Sequence, residues 1–135
     1  MRTPPTRGLL DTSVFIATEN ARPLDESGLP EEVAVSVVTV AELHAGVLVT
    51  SGLDTRARRL DTLSALADVH VLRIDEHVAM QWARLRVHLA EAGRRVNVND
   101  LWIAATAVAH GLPVITQDAD FDPLGDVTGL DIVRV

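Results

Sequence analysis

The residues G-L-L-D-T-S-V-F-I, at positions 8–16, pass from a short apolar run to an acid and two hydroxyl residues. A brief apolar run that closes on residues favouring helix starts predicts a short buried strand, with a helix beginning near Thr12. Asp11 then follows the strand directly. Because ligands in open parallel sheets bind beyond the carboxyl ends of the strands, the position of Asp11 suits a site residue.

Strand and helix patterns alternate along the rest of the chain. Further strands are predicted at V-A-V-S (33–36), V-H-V-L-R-I (69–74), P-V-I-T (113–116) and D-I-V-R-V (131–135). Helices are predicted at 38–50, 54–68 and 75–93, and another is expected to be capped by Asn99 and to run to about His110. Residues 19–31 are expected to form an exposed connection. The alternation predicts an α/β fold of three layers, in which helices flank a mainly parallel sheet of about five strands.

The predicted helices differ in how they are expected to pack. The two at 38–50 and 54–68 should form a helical hairpin, because the second carries an apolar stripe. That stripe comprises Leu53, Ala57, Leu60, Leu63 and Ala67. The helix at 75–93 carries a similar stripe of Val78, Trp82, Leu85 and Leu89. The helix ending near His110 is rich in Ala, Ile, Leu and Val, so we expect it to be buried nearly all round.

Length and composition limit the classes of protein that fit. The chain of 135 residues suits a single domain covering 1–135. Its net charge of −7 argues against a protein that coats nucleic acid by charge alone, so any RNA contact must be local. All 12 basic residues are Arg, which excludes mechanisms that need a Lys. Without cysteine, a metal must be bound by oxygen or imidazole.

The sequence favours a protein of the cytoplasm. Absence of cysteine suits a reducing compartment. The N-terminal stretch soon meets Pro4 and Pro5 and lacks the apolar core of a signal peptide. No later run approaches the roughly 18 apolar residues that a membrane span needs. We therefore expect neither export nor membrane insertion.

Four short motifs carry acidic residues at the ends of predicted strands or in the first turns of predicted helices. The motifs are L-L-D-T-S-V, V-A-E-L-H, N-D-L-W-I-A-A and I-T-Q-D-A-D-F. The acids are Asp11, Glu42, Asp100, Asp118 and Asp120. If the first and fourth strands are neighbours, Asp11 and Asp118 meet at one edge of the sheet. Carboxylates gathered in one pocket repel each other unless a cation lies between them, so the pattern predicts a metal site.

Each acid also has an ordinary structural explanation. Asp11 could cap the following helix, Glu42 could be a solvated helix residue, and Asp100 could complement a helix dipole. Asp118 and Asp120 could form a turn. Other motif classes fit poorly, since D-A-D-F-D lacks the Gly and Glu of an EF-hand loop and no Gly-rich phosphate loop is present. One shared site is favoured because all four motifs fall at compatible ends of the predicted elements.

The motifs L-L-D-T-S-V-F-I, V-A-E-L-H-A-G, V-N-D-L-W-I-A-A-T-A and V-I-T-Q-D-A-D-F resemble those of the PIN-domain ribonucleases, particularly the VapC-type toxins of bacterial toxin–antitoxin pairs. The resemblance covers essentially the whole chain. It implies an acidic metal site formed by Asp11, Glu42, Asp100 and Asp118, with Asp120 as a fifth member. Thr12, Ser13 and Thr116 are expected to support this pocket through hydroxyl hydrogen bonds.

The resemblance also implies an activity and partners. The expected reaction is cleavage of a structured RNA, such as tRNA or rRNA, by water activated on Mg²⁺ or Mn²⁺, leaving 5′-phosphate and 3′-hydroxyl ends. The expected partners are a second copy in a homodimer and a small cognate antitoxin. The antitoxin is expected to dock near the helices at 38–68, where Val47, Leu48 and Val49 would form an apolar surface, although these helices could instead be a simple buried hairpin.

Several assignments stay open at this point. Arg94 and Arg95 are candidates for binding RNA phosphate, although they could be a solvated loop pair. Trp82 and Trp102 could stack on bases, but the apolar stripe favours core packing for Trp82. Two other functions remain: a PIN nuclease for RNA processing or DNA outside any toxin pair, and an inactive PIN scaffold that binds RNA or protein.

Overall fold

The fold is built on a sheet of five parallel strands in the computed structural model, which describes residues 3–135. The strands are β1 (Arg7–Leu10), β2 (Glu32–Ser36), β3 (His70–Leu72), β4 (Val114–Thr116) and β5 (Ile132–Arg134). Their order across the sheet is β3-β2-β1-β4-β5. Residues 1 and 2, where the stretch considered for a signal peptide begins, lie outside the described residues.

Five α-helices connect the strands. They are α1 (Thr12–Glu19), α2 (Val37–Val49), α3 (Leu53–Ser64), α4 (Glu76–Ala92) and α5 (Val98–His110). Short 3₁₀ turns occupy Glu26–Gly28, Ala65–Asp68 and Asp122–Leu124. The predicted three-layer α/β class is confirmed, with a sheet that is parallel throughout. Within residues 3–135, no helix combines the length and the apolar character needed to cross a membrane.

Both faces of the sheet are covered at the central strands β1 and β4, which explains why these strands are mostly apolar. Successive residues of a strand point to opposite faces. Leu9 and Val114 therefore join a core cluster with residues of α4 and α5, such as Ile103. Leu10 and Ile115 join a second cluster with residues of α1 and α2. As predicted, α5 is buried over most of its surface.

The chain changes direction across the sheet at the seam between β1 and β4. From β1 it proceeds to β2 and β3 on one side, and it then returns for β4 and β5 on the other. Leu9 pairs with Ala34 of β2 and with Val114 of β4. The predicted adjacency of the first and fourth strands is confirmed. Such a reversal leaves a crevice at the carboxyl ends of the two central strands.

The cap of α5 differs from the prediction. Asn97, not Asn99, is the N-cap, and its Oδ1 accepts hydrogen bonds from the backbone N–H groups of Asn99 (2.9 Å) and Asp100 (3.4 Å). Asn97 has an extended backbone with ψ of 143°, so its side chain can reach the free N–H groups of the first turn. Asn99 already lies inside that turn. The N-V-N-D sequence offers two capping residues, and the earlier one is used.

The predicted hairpin of α2 and α3 is present, but its apolar residues are placed differently from the prediction. No residue of α3 is buried, and Leu53 is 86% exposed. Val47 was predicted to join Leu48 and Val49 on an apolar surface, and this is wrong for Val47, which is buried. Leu48 and Val49 are 76% and 78% exposed. Helical spacing turns Val47 toward the core, whereas the next two residues continue round to solvent.

Gly111 ends α5 in a left-handed conformation with φ of +63°, and a Cβ there would meet no atom within 4 Å. We expect Gly111→Ala to lower the free energy of unfolding by about 1 kcal/mol through backbone strain alone. Gly46→Ala is the matched control, because Gly46 lies inside α2 and its nearest neighbour to a Cβ is Arg59 Cδ at 3.9 Å. This control should gain about 0.5–1 kcal/mol. Urea midpoints at an unchanged slope provide the measurement, and equal midpoints for the two variants would contradict the left-handed cap.

Candidate functional site

Five acidic side chains line one cleft of about 250 Å³ at the carboxyl edge of the sheet. They come from four separate segments: the end of β1, the second turn of α2, the first turn of α5 and the loop after β4. In chain order they are Asp11, Glu42, Asp100, Asp118 and Asp120. Thr12, Ser13, Ile16, Arg22 and Asn97 complete the lining. The fold thus brings together the acids that the four motifs singled out.

Asp11 is buried at 4% exposure, and its carboxylate is held by hydrogen bonds. It accepts from the N–H of Ser13 (3.1 Å), from Ser13 Oγ (2.7 Å) and from Thr116 Oγ1. Ser13 Oγ also accepts from the N–H of Gln117 (3.0 Å), and Thr116 Oγ1 accepts from the N–H of Asp118 (3.1 Å). The two hydroxyls therefore join the start of α1 to the loop after β4. Asp11 caps α1 and lines the cleft at once.

Glu42 is half-buried and is not a simply solvated helix residue. Its Oε1 accepts a hydrogen bond of 2.7 Å from Thr12 Oγ1, which lies 3.0 Å from Thr39 Oγ1. Thr12 belongs to α1, whereas Thr39 and Glu42 belong to α2. These contacts orient the Glu42 carboxylate toward the strand-end loops.

Asp100 is half-buried in the first turn of α5. Burial raises its pKa to about 7, and the negative charges of Asp11, Asp120, Glu42 and Asp118 act in the same direction. Burial disfavours the charged form of a carboxyl, and so do like charges nearby. The raised pKa is the electrostatic consequence of gathering acids in one cleft.

Asp118 and Asp120 occupy different depths. Asp118 is half-buried, and burial raises its pKa together with the charges of Asp11 and Asp120. Arg22 and Arg134 oppose that change by lowering the pKa. Asp120 is exposed at the rim of the cleft. The two acids of the fourth motif thus differ in solvation.

Arg22 and Asn97 line the cleft although the sequence motifs did not single them out. Arg22 follows the end of α1 in the connection at 19–31, where composition indicated only an exposed loop. Asn97 is the N-cap of α5. The N-V-N-D sequence was a usable signal for Asn97. Nothing in the local sequence indicated that Arg22 would turn toward the acids.

The acids line the cleft without closing into a compact cluster. Within the described part of the chain, no three acidic or histidine side chains converge closely enough to coordinate one ion as arranged. Asp11 and Glu42 are both engaged with hydroxyl groups. The cleft of about 250 Å³ has room for water beside the carboxylates.

Arg94 and Arg95 have different surroundings. Arg94 Nη1 forms an ion pair with Asp126 Oδ1 at 3.0 Å and donates to the Pro123 carbonyl at 3.3 Å. Arg95 is exposed and lines a hollow that also includes Asp100. Of the two arginines, Arg95 is the one beside the acids.

Trp82 and Trp102 pack on each other between α4 and α5. Their ring centroids lie 4.9 Å apart at an interplanar angle of 19°, and both rings contact the core cluster. The Arg86 guanidinium lies 5.4 Å from the centroid of the Trp82 ring. Neither tryptophan lines the acidic cleft. Both tryptophans therefore contribute to the packing of the core.

The repulsion at Asp100 should lower the free energy of unfolding of the metal-free protein by a measurable amount. Because its folded pKa of about 7 lies above the ordinary value of 3.8, the folded state binds the proton more tightly, and stability falls as pH rises between these values. Asp100→Asn removes this loss, so we expect it to gain on the order of 1 kcal/mol at pH 8, after allowance for solvent screening, and little at pH 4. Urea unfolding in EDTA tests this, with the exposed Asp131→Asn as control. A gain that does not depend on pH would contradict the electrostatic cause.

Comparison with known proteins gives one family for this arrangement. The family model described as PIN domain matches residues 8–126. Ribonuclease VapC5 of Mycobacterium tuberculosis is 56% identical over 135 residues, which are 100% of both chains. Ribonuclease VapC4 of the same organism is 47% identical over 126 residues, covering 93% of this chain and 97% of the relative.

A solved structure agrees with these sequence matches. The crystal structure of VapBC-5 from Mycobacterium tuberculosis, a member of the VapBC family of toxin–antitoxin systems, matches with a TM-score of 0.91 at 54% identity. The match covers 97% of this chain and 100% of that chain. The chain therefore belongs to the PIN-domain family and, within it, to the VapC ribonucleases.

Proposed function

We propose that this chain, as a single PIN domain, is an endoribonuclease toxin that cuts structured RNA, such as tRNA or rRNA, with a divalent cation bound in the acidic cleft. The observation that carries the proposal is the meeting of five carboxylates from four segments in one cleft at the seam of β1 and β4. The relatives named as ribonucleases support the class of reaction.

The side chains of the cleft fit a hard cation. All five acids offer carboxylate oxygen, the ligand that suits Mg²⁺ and Mn²⁺. Mg²⁺ keeps several waters and is usually bound through one or two carboxylates, so a cleft with space between its acids suits it. We assign Asp11, Glu42, Asp100 and Asp118 as the residues that hold the ion. Asp120, at the exposed rim, is the fifth member of the catalytic set.

The residues of the chain prepare the cleft for phosphodiester hydrolysis. When bound, the cation supplies Lewis-acid chemistry, which activates water for attack on phosphorus and offsets charge on the departing oxygen. Ser13 and Thr116 keep the Asp11 carboxylate in one orientation, and Thr12 does the same for Glu42. Little reorganisation is then needed when the substrate binds.

RNA must be held by local cations because the chain as a whole is negative. Arg95 lies in the hollow next to Asp100, where it can bind the phosphate of a nucleotide flanking the cut. Arg94 is engaged by Asp126, and we give it the supporting role of holding the loop before α5.

We propose a cognate antitoxin as the protein partner, in a cytoplasmic complex with a homodimer of this chain. A groove of about 440 Å³ runs between α1, α2 and α3, with Ile16, Leu43 and Val49 in its lining. Glu42 lines both this groove and the acidic cleft. An antitoxin segment bound in the groove would therefore end beside the acids, where it could block access of RNA.

Cation binding should depend on pH through Asp100. The carboxyl must release its proton to bind the ion, and its pKa is about 7 in the metal-free protein. We expect the affinity for Mn²⁺ to rise by up to about tenfold per pH unit between pH 5.5 and 7 and to level off above. Isothermal titration calorimetry measures this. Asp100→Asn should bind Mn²⁺ more weakly and with less dependence on pH, and an identical pH profile in that variant would contradict the assignment.

Removal of a single cleft carboxylate should abolish cleavage without unfolding the protein. We expect Asp11→Asn and Asp100→Asn each to reduce the cleavage rate by roughly a hundredfold or more, because the charge that holds the cation is lost. Incubation with total bacterial RNA and Mn²⁺ or Mg²⁺, followed by sequencing of new 5′ ends, measures cleavage and identifies the target. EDTA should remove the new ends, and the exposed Asp131→Asn should leave them unchanged.

The same assay separates the alternatives. Discrete cuts in DNA and not in RNA would replace the proposed substrate class. Full activity in Asp11→Asn or Asp100→Asn would disprove the proposed site. Metal-dependent RNA binding with no new ends in any RNA would indicate an inactive scaffold.

A further inference from the structure

We propose that Arg22 is a catalytic residue of the cleft and that its guanidinium binds a non-bridging oxygen of the phosphodiester being cut. This role rests on the nuclease function proposed above. Among the described residues that line the acidic cleft, Arg22 is the only basic one. A phosphate that reaches the acids from this wall therefore meets the positive side chain of Arg22.

The backbone conformation after α1 places Arg22 at the acidic cleft. Ala21 has φ of +54°, a left-handed conformation that is uncommon for a residue with a Cβ. Arg22 then donates its backbone N–H to the Ala17 carbonyl at 2.8 Å, which reverses the chain after Asn20. Such conformations are strained and persist where the surroundings enforce them. The reversal places Arg22 beside Ile16 in the wall of the cleft.

The guanidinium of Arg22 is available to a ligand. Within residues 3–135 it forms no ion pair at 4.0 Å or less, whereas Arg94 is paired with Asp126 and Arg134 with Asp122. The positive charge of Arg22 nevertheless acts on the cleft, since it lowers the pKa of the Asp118 carboxyl. A guanidinium has five N–H donors in a planar fork that matches two oxygens of a phosphate. A phosphate would therefore bind guanidinium N–H groups that form no ion pair with a described carboxylate.

The reaction explains what such a contact would do. Water oxygen bonds to phosphorus while the bond from phosphorus to the 3′ oxygen breaks, and the water protons end on the 3′ hydroxyl and on solvent. Negative charge is spread over the non-bridging oxygens as this exchange proceeds. A donor fixed at one of those oxygens binds the transition state more tightly than the substrate, so it should act mainly on kcat.

The test compares Arg22→Gln, Arg22→Lys and Arg134→Gln with the wild-type protein on the RNA identified by end mapping. We expect Arg22→Gln to lower kcat by roughly a hundredfold with a smaller change in KM. Arg22→Lys should restore only part of the loss, because an ammonium keeps the charge without the planar fork. Arg134→Gln is the matched control, since Arg134 also lowers the pKa of Asp118 but does not line the cleft. Its kcat should stay within about twofold of wild type.

Calorimetric titration with Mn²⁺ supplies a second readout. Affinity in Arg22→Gln should equal or exceed that of the wild type, because a positive charge beside the ion has been removed. Unchanged kcat in Arg22→Gln, or full restoration of kcat by Arg22→Lys, would overturn the role of Arg22. Equal losses of kcat in Arg22→Gln and Arg134→Gln would do the same. None of these results would contradict the nuclease function itself. A wild-type protein that cuts no RNA would overturn the nuclease function and this role with it.

Discussion

The buried carboxylate of Asp11 is the interaction on which the rest of the site depends. A carboxylate removed from water is tolerated only when hydrogen bonds compensate for its lost solvation. Ser13 and Thr116 provide them, and the same two hydroxyls hold the backbone of Gln117 and Asp118. Because β1 and β4 pair directly, satisfying Asp11 also fixes the loop that carries the fourth motif. One desolvated charge thus links the two central strands and holds Asp118 near Asp11.

Repulsion between the acids of the cleft destabilises the folded state, and interactions elsewhere in the fold must offset it. Asp100 and Asp118 both have raised pKa values, with burial as the main cause and neighbouring acids as the next. In a protein selected for stability alone, such acids would be spread over the surface, where their repulsion is screened. Burial of the middle of α5 and of the central strands provides the opposing hydrophobic contribution. A local violation of folding rules within an otherwise consistent structure is typical of a functional site.

Local patterns were sufficient to predict the strands, the helices and the identity of the acids, since apolar runs and helix-start residues carry that information directly. Three features needed the tertiary structure. Val47 and Leu53 are both apolar helix residues, yet only packing decides that the first is buried and the second is exposed. Asn97 and Asn99 are equivalent as capping residues, and the backbone of the turn selects between them. Arg22 reaches the cleft through the left-handed conformation of Ala21, which no propensity rule would assign to an alanine.

Under the proposed mechanism, the cation and the RNA place opposite demands on the charge of the cleft wall, which accounts for its low content of basic residues. Each additional arginine would attract phosphate, but it would also weaken binding of the ion by repulsion at short range. Arg22, which follows α1, lines the acidic cleft, whereas Arg95, which precedes α5, lines the neighbouring hollow that includes Asp100. Because a chain with a net charge of −7 repels RNA at long range, the proposed substrate binding relies on these locally placed charges and on shape. In that mechanism, the acids determine where the reaction occurs, and the positions of Arg22 and Arg95 determine which phosphate reaches them.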